Sequence, residues 1–164
     1  KNKIPLTKNR EGKNNYTANV SFVEKNIIRV LKGPQFDYFS ELSKKEFFSK
    51  EYKITNLTDR MGMRLEGKIL KNIVSTNIRS EGITKGAIQV PADGQPIVLL
   101  TDHPTIGGYP KIANVISADY DLLIQKIPGT KISFKCIDLK EAEQLYEDYH
   151  INISKIIKSI KEIK

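Results

Sequence analysis

One cysteine, two histidines, two methionines and no tryptophan stand in a chain of 164 residues. A single cysteine cannot close an intrachain disulfide, so the fold must be held by a buried core. A chain of this size buries roughly two thirds of the surface it exposes when unfolded, enough for one ordinary domain. The histidines, His103 and His150, lack metal-ligand spacing, and a lone Cys136 adds none, so no structural zinc site and no other metal site is expected. Long apolar runs are missing too. The stretch from Gly86 to Leu100 is broken by Pro91, Asp93, Gly94 and Pro96, which excludes a transmembrane helix or a signal-peptide core there. The expectation is a soluble, cytoplasmic protein that does not enter a membrane.

The formal charge of +8 resides mostly at the ends. Residues 1–15 hold five basic groups against Glu11, and residues 151–164 hold four against Glu162, which leaves the centre nearly neutral. Basic ends without interleaved aromatic residues read as solubilising tails rather than a groove that tracks phosphates, so no nucleic-acid partner is expected. The chain begins at Lys1 rather than methionine, and residues 1–20 are rich in Lys and Asn, as in the linker-like start of a fragment. Asn-x-Ser/Thr sequons at Asn15, Asn19, Asn56 and Asn152 carry no weight without a secretory signal.

The rest reads as mainly β. Strands are expected at Ile27–Leu31, Tyr52–Thr58, Met61–Glu66, Ala87–Val90, Ile97–Leu100, Ile112–Ser117 and Lys131–Ile137. In the last of these Ile132, Phe134 and Cys136 share one face, which makes Cys136 a core residue rather than a nucleophile. A helix capped by Asp37 should run to about Ser49, with Phe39, Leu42, Phe47 and Phe48 on its buried face. A short helix is expected at Asp119–Lys126, stopped by Pro128 and Gly129. Asp138 then caps a terminal helix in which Ala142, Tyr146, Tyr149, Ile153, Ile156, Ile160 and Ile163 form a seam that wants a partner, by packing or self-association. Many short strands and few helices give a β-barrel or sandwich with capping helices, spanning residues 21–140, and a C-terminal helical extension over 141–164.

Catalytic signatures fail one by one. Gly62, Gly67 and Lys68 have the first spacing of a P-loop, but Ile69 follows where a Mg²⁺-binding hydroxyl is needed, and the intervening residues read as a strand. No Gly-x-Ser-x-Gly elbow is present to anchor a hydrolase triad. The informative segment is Ser80–Asp119. Gly82, Gly86, Gly94, Gly107 and Gly108 bracket its short apolar strands, so sharp turns expose backbone amides that can hold carboxylate or phosphate oxygens. Glu81, Gln89, Gln95, Asp102, Thr105 and Tyr109 fall into or beside those turns, a polar set suited to a small polar molecule. The competing reading is that each group satisfies only its own turn, as Asp93-Gly94 does.

Four motifs carry a resemblance: RMGMRLEG at Arg60–Gly67, SEGITKGAIQVPADGQPIVLLTD at Ser80–Asp102, GGYPKIANVISAD at Gly107–Asp119 and PGTKISF at Pro128–Phe134. In order, from about Ile28 to Ala142, they resemble the C-terminal half of the KipA family, described as the biotin-dependent carboxyltransferase or allophanate hydrolase subunit 2 family, which includes the PxpC component of bacterial 5-oxoprolinase. The resemblance implies a cyclophilin-like β-barrel. It also implies a role in hydrolysing 5-oxoproline to L-glutamate with ATP, alongside KipI-like (PxpB) and LamB/YcsF-like (PxpA) subunits. No cofactor is expected on this chain, ATP and Mg²⁺ being implied for the whole complex, and the chain alone should be inactive.

Such chemistry phosphorylates an amide oxygen and then adds water. It needs cations for phosphate, for which Arg60 and Arg64 are candidates. It needs a carboxylate to guide water, Glu81 or Asp102, and oxyanion donors, Gln89, Tyr109 and the Gly107 and Gly108 amides. Gln95 and Thr105 complete the candidate substrate-binding set, and Arg64, Glu81, Gln89 and Asp102 are expected to converge on one concave face. One departure is His103-Pro104, where the family commonly has Arg-Gln. Two alternatives fit the same resemblance: a carboxyltransferase domain like that of urea carboxylase, with biotin from another chain, and a non-catalytic KipI-binding regulator.

Overall fold

A computed structural model describes residues 2–6, 15–20 and 25–163. Two compact units are present, one spanning Lys25–Ala142 and the other joining the described part of Lys1–Glu24 to Glu143–Lys164.

The larger unit is a barrel. Its strands are β3 (Ile27–Lys32), β4 (Tyr52–Ile54), β5 (Gly62–Glu66), β7 (Ala87–Gln89), β8 (Ile97–Leu99), β10 (Lys111–Val115) and β11 (Lys131–Cys136). They close in the order β10-β3-β11-β4-β5-β8-β7, every pairing antiparallel except β3 with β11. Period-2 alternation makes the barrel: Met63 and Leu65 on β5, Ile132 and Phe134 on β11, and Ile28 and Val30 on β3 all point into one core. The mainly β, cyclophilin-like barrel with capping helices is thus the fold observed. Between β5 and β10 the chain also forms a separate two-stranded ribbon, β6 (Glu81–Gly82) with β9 (Ile106–Gly107), which pairs Glu81 with Gly107.

Two helices cap the barrel. A 3₁₀ turn at Phe36–Tyr38 precedes α1 (Glu41–Ser49), and the cap is Ser40, whose hydroxyl accepts from Ser43 N at 3.2 Å, rather than Asp37. The buried face is narrower than expected: Ser43 and Phe47, one turn apart, are buried, while Leu42, five residues before Phe47 and so on another side of the helix, is exposed. Phe47 stacks on Phe134 with ring centroids 4.7 Å apart. α2 (Ser117–Ile124) begins two residues earlier than expected and buries Tyr120 and Leu123. Asp119 in its first turn is held by Arg29 of β3, from the backbone N–H at 2.8 Å, from Nε at 2.9 Å and from Nη2. This residue of the Gly107–Asp119 motif is therefore a fold clamp. Cys136, expected in the core, is half-buried, because it is the last residue of β11 and the barrel interior ends at Phe134.

In the smaller unit, β1 (Asn2–Leu6) and β2 (Asn15–Val20) pair antiparallel, and β12 (Lys161–Ile163) pairs with β2. Much of the stretch read as a linker is therefore strand; Lys1 and residues 7–14 lie outside the described residues, as do 21–24. α3 (Leu139–Lys158) is started by Asp138, whose Oδ1 accepts from Glu141 N at 2.8 Å. Its seam is shallower than expected and differs by one position. Ala142, Leu145, Tyr149, Ile153 and Ile156 are half-buried, Tyr146 and Ile160 are exposed, and the side chain of Ile163, in β12, lies outside the described residues. No described helix is long and apolar enough to cross a membrane.

Candidate functional site

The expected site residues divide into three places. Arg64 projects outward from β5, since its neighbours Met63 and Leu65 point inward, and lines a depression with Gln95, Asp93 and Pro96. Gln95 there is spent on the backbone of Gly67, accepting from its N–H at 2.9 Å and donating to its carbonyl at 3.3 Å. Arg60 and Asp102 form an exposed pair at 3.4 Å, worth little in water. Thr105 and Tyr109 are exposed, and the carbonyls of Thr105 and Gly108 receive the N–H groups of Ile83 and Ile78. His103 turns its Nδ1 to the neighbouring Pro104 carbonyl at 2.7 Å. Of the four residues expected on one face, only Glu81 and Gln89 meet. Arg64 is in register with Gln89 through Ile97 and so shares that outer face two strands away, its side chain beside Gln95, while Asp102 lies in the turn after β8 and pairs with Arg60.

Glu81, Gln89 and Gly107 do come together, and with them two residues that sequence reasoning missed, Lys111 and Gln35. Lys111 opens β10 and is 5% exposed. Its cross-strand partner on β7 is Gln89, so the two side chains share one face of the sheet. The Lys111 ammonium donates to Glu81 Oε1. Gln35 Nε2 donates to the same oxygen at 2.7 Å, while Gln35 Oε1 accepts from Lys111 N at 3.1 Å. Glu81 keeps 43% of its side chain in solvent. The hydrogen bond from Lys111, then that from Gln35, holds its carboxyl below the usual carboxylate range, so it is a weak base at neutral pH.

Two glycines permit this arrangement. A Cβ on Gly33 would sit 2.3 Å from the Lys111 carbonyl, so the β3 turn reaches β10 only without a side chain. A Cβ on Gly107 would sit 2.6 Å from Gln89 Nε2, so the ribbon lies directly on that amide. Gln89 is buried, and its Nε2 has no hydrogen-bond partner among the described residues. Beside Glu81 and Lys111 opens a cavity of about 350 Å³, lined also by Pro34, Ile83, Thr84 and Asn114. This is a small-molecule volume with an apolar wall and a buried cation, and the unpaired Gln89 amide lies outside its lining, under Gly107; the cavity suits a compact ligand carrying negative charge.

Among the described residues no group of three or more His, Cys, Asp or Glu is placed to hold a metal ion. The Gly62–Glu66 part of the P-loop-like spacing is strand β5.

The family described as "carboxyltransferase domain, subdomain A and B" matches residues 2–136. The chain belongs to that family. The 5-oxoprolinase C subunit of Escherichia coli (strain K12) is 41% identical over 123 residues, covering 75% of this chain and 40% of that protein. Its counterpart in Haemophilus influenzae is 36% identical over 138 residues, covering 84% of this chain and 45% of that protein. The chain thus spans less than half the length of these curated relatives. Among solved structures, the urea amidolyase of K. lactis superposes with a TM-score of 0.77 at 27% identity, over 84% of this chain and 9% of that one. As a member of the carboxyltransferase A and B family, the chain is related to parts of both a 5-oxoprolinase and a urea amidolyase.

Proposed function

We propose that this chain is the substrate-binding barrel of a 5-oxoprolinase C subunit, cytoplasmic and working with KipI-like (PxpB) and LamB/YcsF-like (PxpA) subunits to open 5-oxoproline to L-glutamate at the expense of ATP. The observation that carries the reading is the 41% identity to the Escherichia coli protein, against 31% to the urea amidolyase of Lachancea kluyveri. The site supports it chemically. A lactam carbonyl is a poor electrophile, and transfer of the ATP γ-phosphoryl group to its oxygen turns that oxygen into a leaving group. Water then adds to the carbon, and the ring C–N bond breaks with the nitrogen leaving, protonated, as the amine; the acyl phosphate left on the side-chain carboxyl is hydrolysed by a second water, which releases inorganic phosphate and L-glutamate. In this proposal the partner subunits contribute the ATP and Mg²⁺ site. The Lys111 ammonium sits in a partly apolar cavity, where its charge acts more strongly than in water, and stabilises the developing negative charge. Gln89 Nε2 donates to the carbonyl. Glu81, a weak base, positions Lys111 rather than abstracting a proton.

The superposition on urea amidolyase supports a second reading, a carboxyltransferase whose biotin arrives on another chain. Reconstitution with the partner subunits separates the two. The first reading expects ADP release that depends on 5-oxoproline. ADP release indifferent to 5-oxoproline, with biotin-dependent carboxylation of urea in its place, would overturn it.

A further inference from the structure

Glu81 occupies its site as a ligand would. It belongs to the β6–β9 ribbon, whose strands are two residues each and whose neighbouring backbone bonds, Ile83 N to Thr105 O at 3.1 Å and Ile78 N to Gly108 O at 2.9 Å, join the ribbon's two sides to each other rather than to the barrel. The ribbon rests on the barrel through Ile83, packed with Ala87 and Leu99, through Gly107 on the Gln89 amide, and through the Glu81 carboxylate on Lys111 and Gln35, the polar one of these contacts. Both donors converge on Oε1, and Oε2 receives no hydrogen bond among the described residues. Lys111 and Gln35 are almost wholly buried, whereas Glu81 enters from solvent. A buried cation and a buried amide aimed at one oxygen of a carboxylate held on a slender ribbon form a carboxylate-binding subsite.

We propose that Glu81 is an internal occupant of this subsite, a latch that the carboxylate of a small ligand displaces, releasing the β6–β9 ribbon from the Lys111–Gln35 pair. The exchange is nearly balanced, because one carboxylate replaces another on the same donors and the buried Lys111 charge is never left without a counter-ion. What favours the ligand lies under the ribbon. Gln89 Nε2 is a buried donor without a partner among the described residues, beneath Gly107, and such a group is a standing cost until it is satisfied. As the cross-strand partner of Lys111, Gln89 stands about 5 Å away at the backbone, so a compact molecule that sets its carboxylate on Lys111 brings an amide carbonyl to Gln89. The recognised class is thus a small acid bearing both a carboxylate and an amide carbonyl. Its identification with 5-oxoproline rests on the proposed function; the latch itself does not.

Calorimetric titration of the full chain tests this, with 5-oxoproline, with 2-pyrrolidinone, which keeps the lactam and lacks the carboxylate, and with N-acetylglycine, an open-chain amide acid. A latch closed in about nine molecules of ten lowers apparent affinity about ten-fold, so Glu81→Ala should bind the amide acids about ten-fold more tightly than the unmodified chain. 2-Pyrrolidinone should show no such gain, and Lys111→Met added to Glu81→Ala should abolish it. Glu81→Gln, which keeps the shape and loses the charge, should show a smaller gain and serves if the alanine variant folds poorly. Tighter binding of N-acetylglycine but none of 5-oxoproline would sustain the latch and sink the lactam reading. Equal or weaker binding of both acids by the two Glu81 variants, or no binding up to tens of millimolar, would overturn the latch.

Discussion

Replacing Asp119 with alanine should destabilise the barrel by about 3 kcal/mol. The residue is 3% exposed and accepts three hydrogen bonds from Arg29, one from the backbone and two from the guanidinium. Removing one member of a buried ion pair costs about 3–5 kcal/mol, because the remaining charge is stranded. Here the stranded Arg29 keeps 23% of its side chain in solvent and can partly rehydrate, which places the cost at the lower end of that range. The loss falls on the junction of β3 and α2, which these bonds tie together. Urea denaturation followed by far-UV circular dichroism is the assay. With a slope of about 2 kcal/mol per molar, the midpoint should fall by roughly 1.5 M, and Asp119→Asn should fall by less, because the amide oxygen still accepts. A midpoint within about 0.3 M of the unmodified chain would refute the clamp and leave Asp119 open to a role in the site.

Glu81 makes stability depend on pH in a definite direction. Its folded pKa lies below the ordinary glutamate value of 4.5, so its contribution is present above that value and lost as pH falls through the folded pKa. The stability difference between the unmodified chain and Glu81→Gln should therefore shrink as melts are taken from pH 7 towards pH 3; a difference constant over that range would refute the Lys111 pairing. Gly107→Ala should cost about 1–3 kcal/mol in thermal melts by driving its methyl group into the Gln89 amide, and a neutral result would show that Gln89 moves aside freely. Ile156→Asp should cost only about 1 kcal/mol in urea titrations, since the α3 seam is half-buried, and a loss of 3 kcal/mol or more would show that a second copy covers it.

The barrel is legible where side chains alternate cleanly. Met63 and Leu65, or Ile132 and Phe134, state their strand and its inner face within a few residues. The amino-terminal hairpin carries the same signal more faintly: Ile4 and Leu6, then Tyr16, Ala18 and Val20, stand two apart among lysines and asparagines that read as linker. The start of α1 is ambiguous because Asp37 and Ser40 are both good caps and only the 3₁₀ turn decides between them. The site is half legible. Glu81, Gln89 and Gly107 announce themselves as polar and turn residues, but Lys111 looks like any surface lysine between Pro110 and Ile112. Its burial comes from an irregular register between Lys111 and Ala113 of β10, where the pairing with β7 shifts, and from Gln35 folding over it, neither of which local sequence encodes. Arg64 and Asp102 mislead in the opposite sense: chemistry-bearing residues in specific motifs, of which Arg64 stands two strands from Gln89 on the same face and Asp102 is paired with Arg60.

In the proposed reaction Lys111, not the exposed arginines, is the cation that stabilises the developing charge. The decisive measurement is 5-oxoproline-dependent ADP release by the reconstituted complex carrying Lys111→Met, compared with Arg60→Met and Arg64→Met. Loss of one stabilising group in a catalytic site costs about 100-fold or more in kcat, so the Lys111 variant should fall by at least that factor while the arginine variants stay within about three-fold. Turnover by a folded Lys111→Met complex close to that of the unmodified enzyme, or a collapse confined to Arg60→Met or Arg64→Met, would refute the role proposed for Lys111.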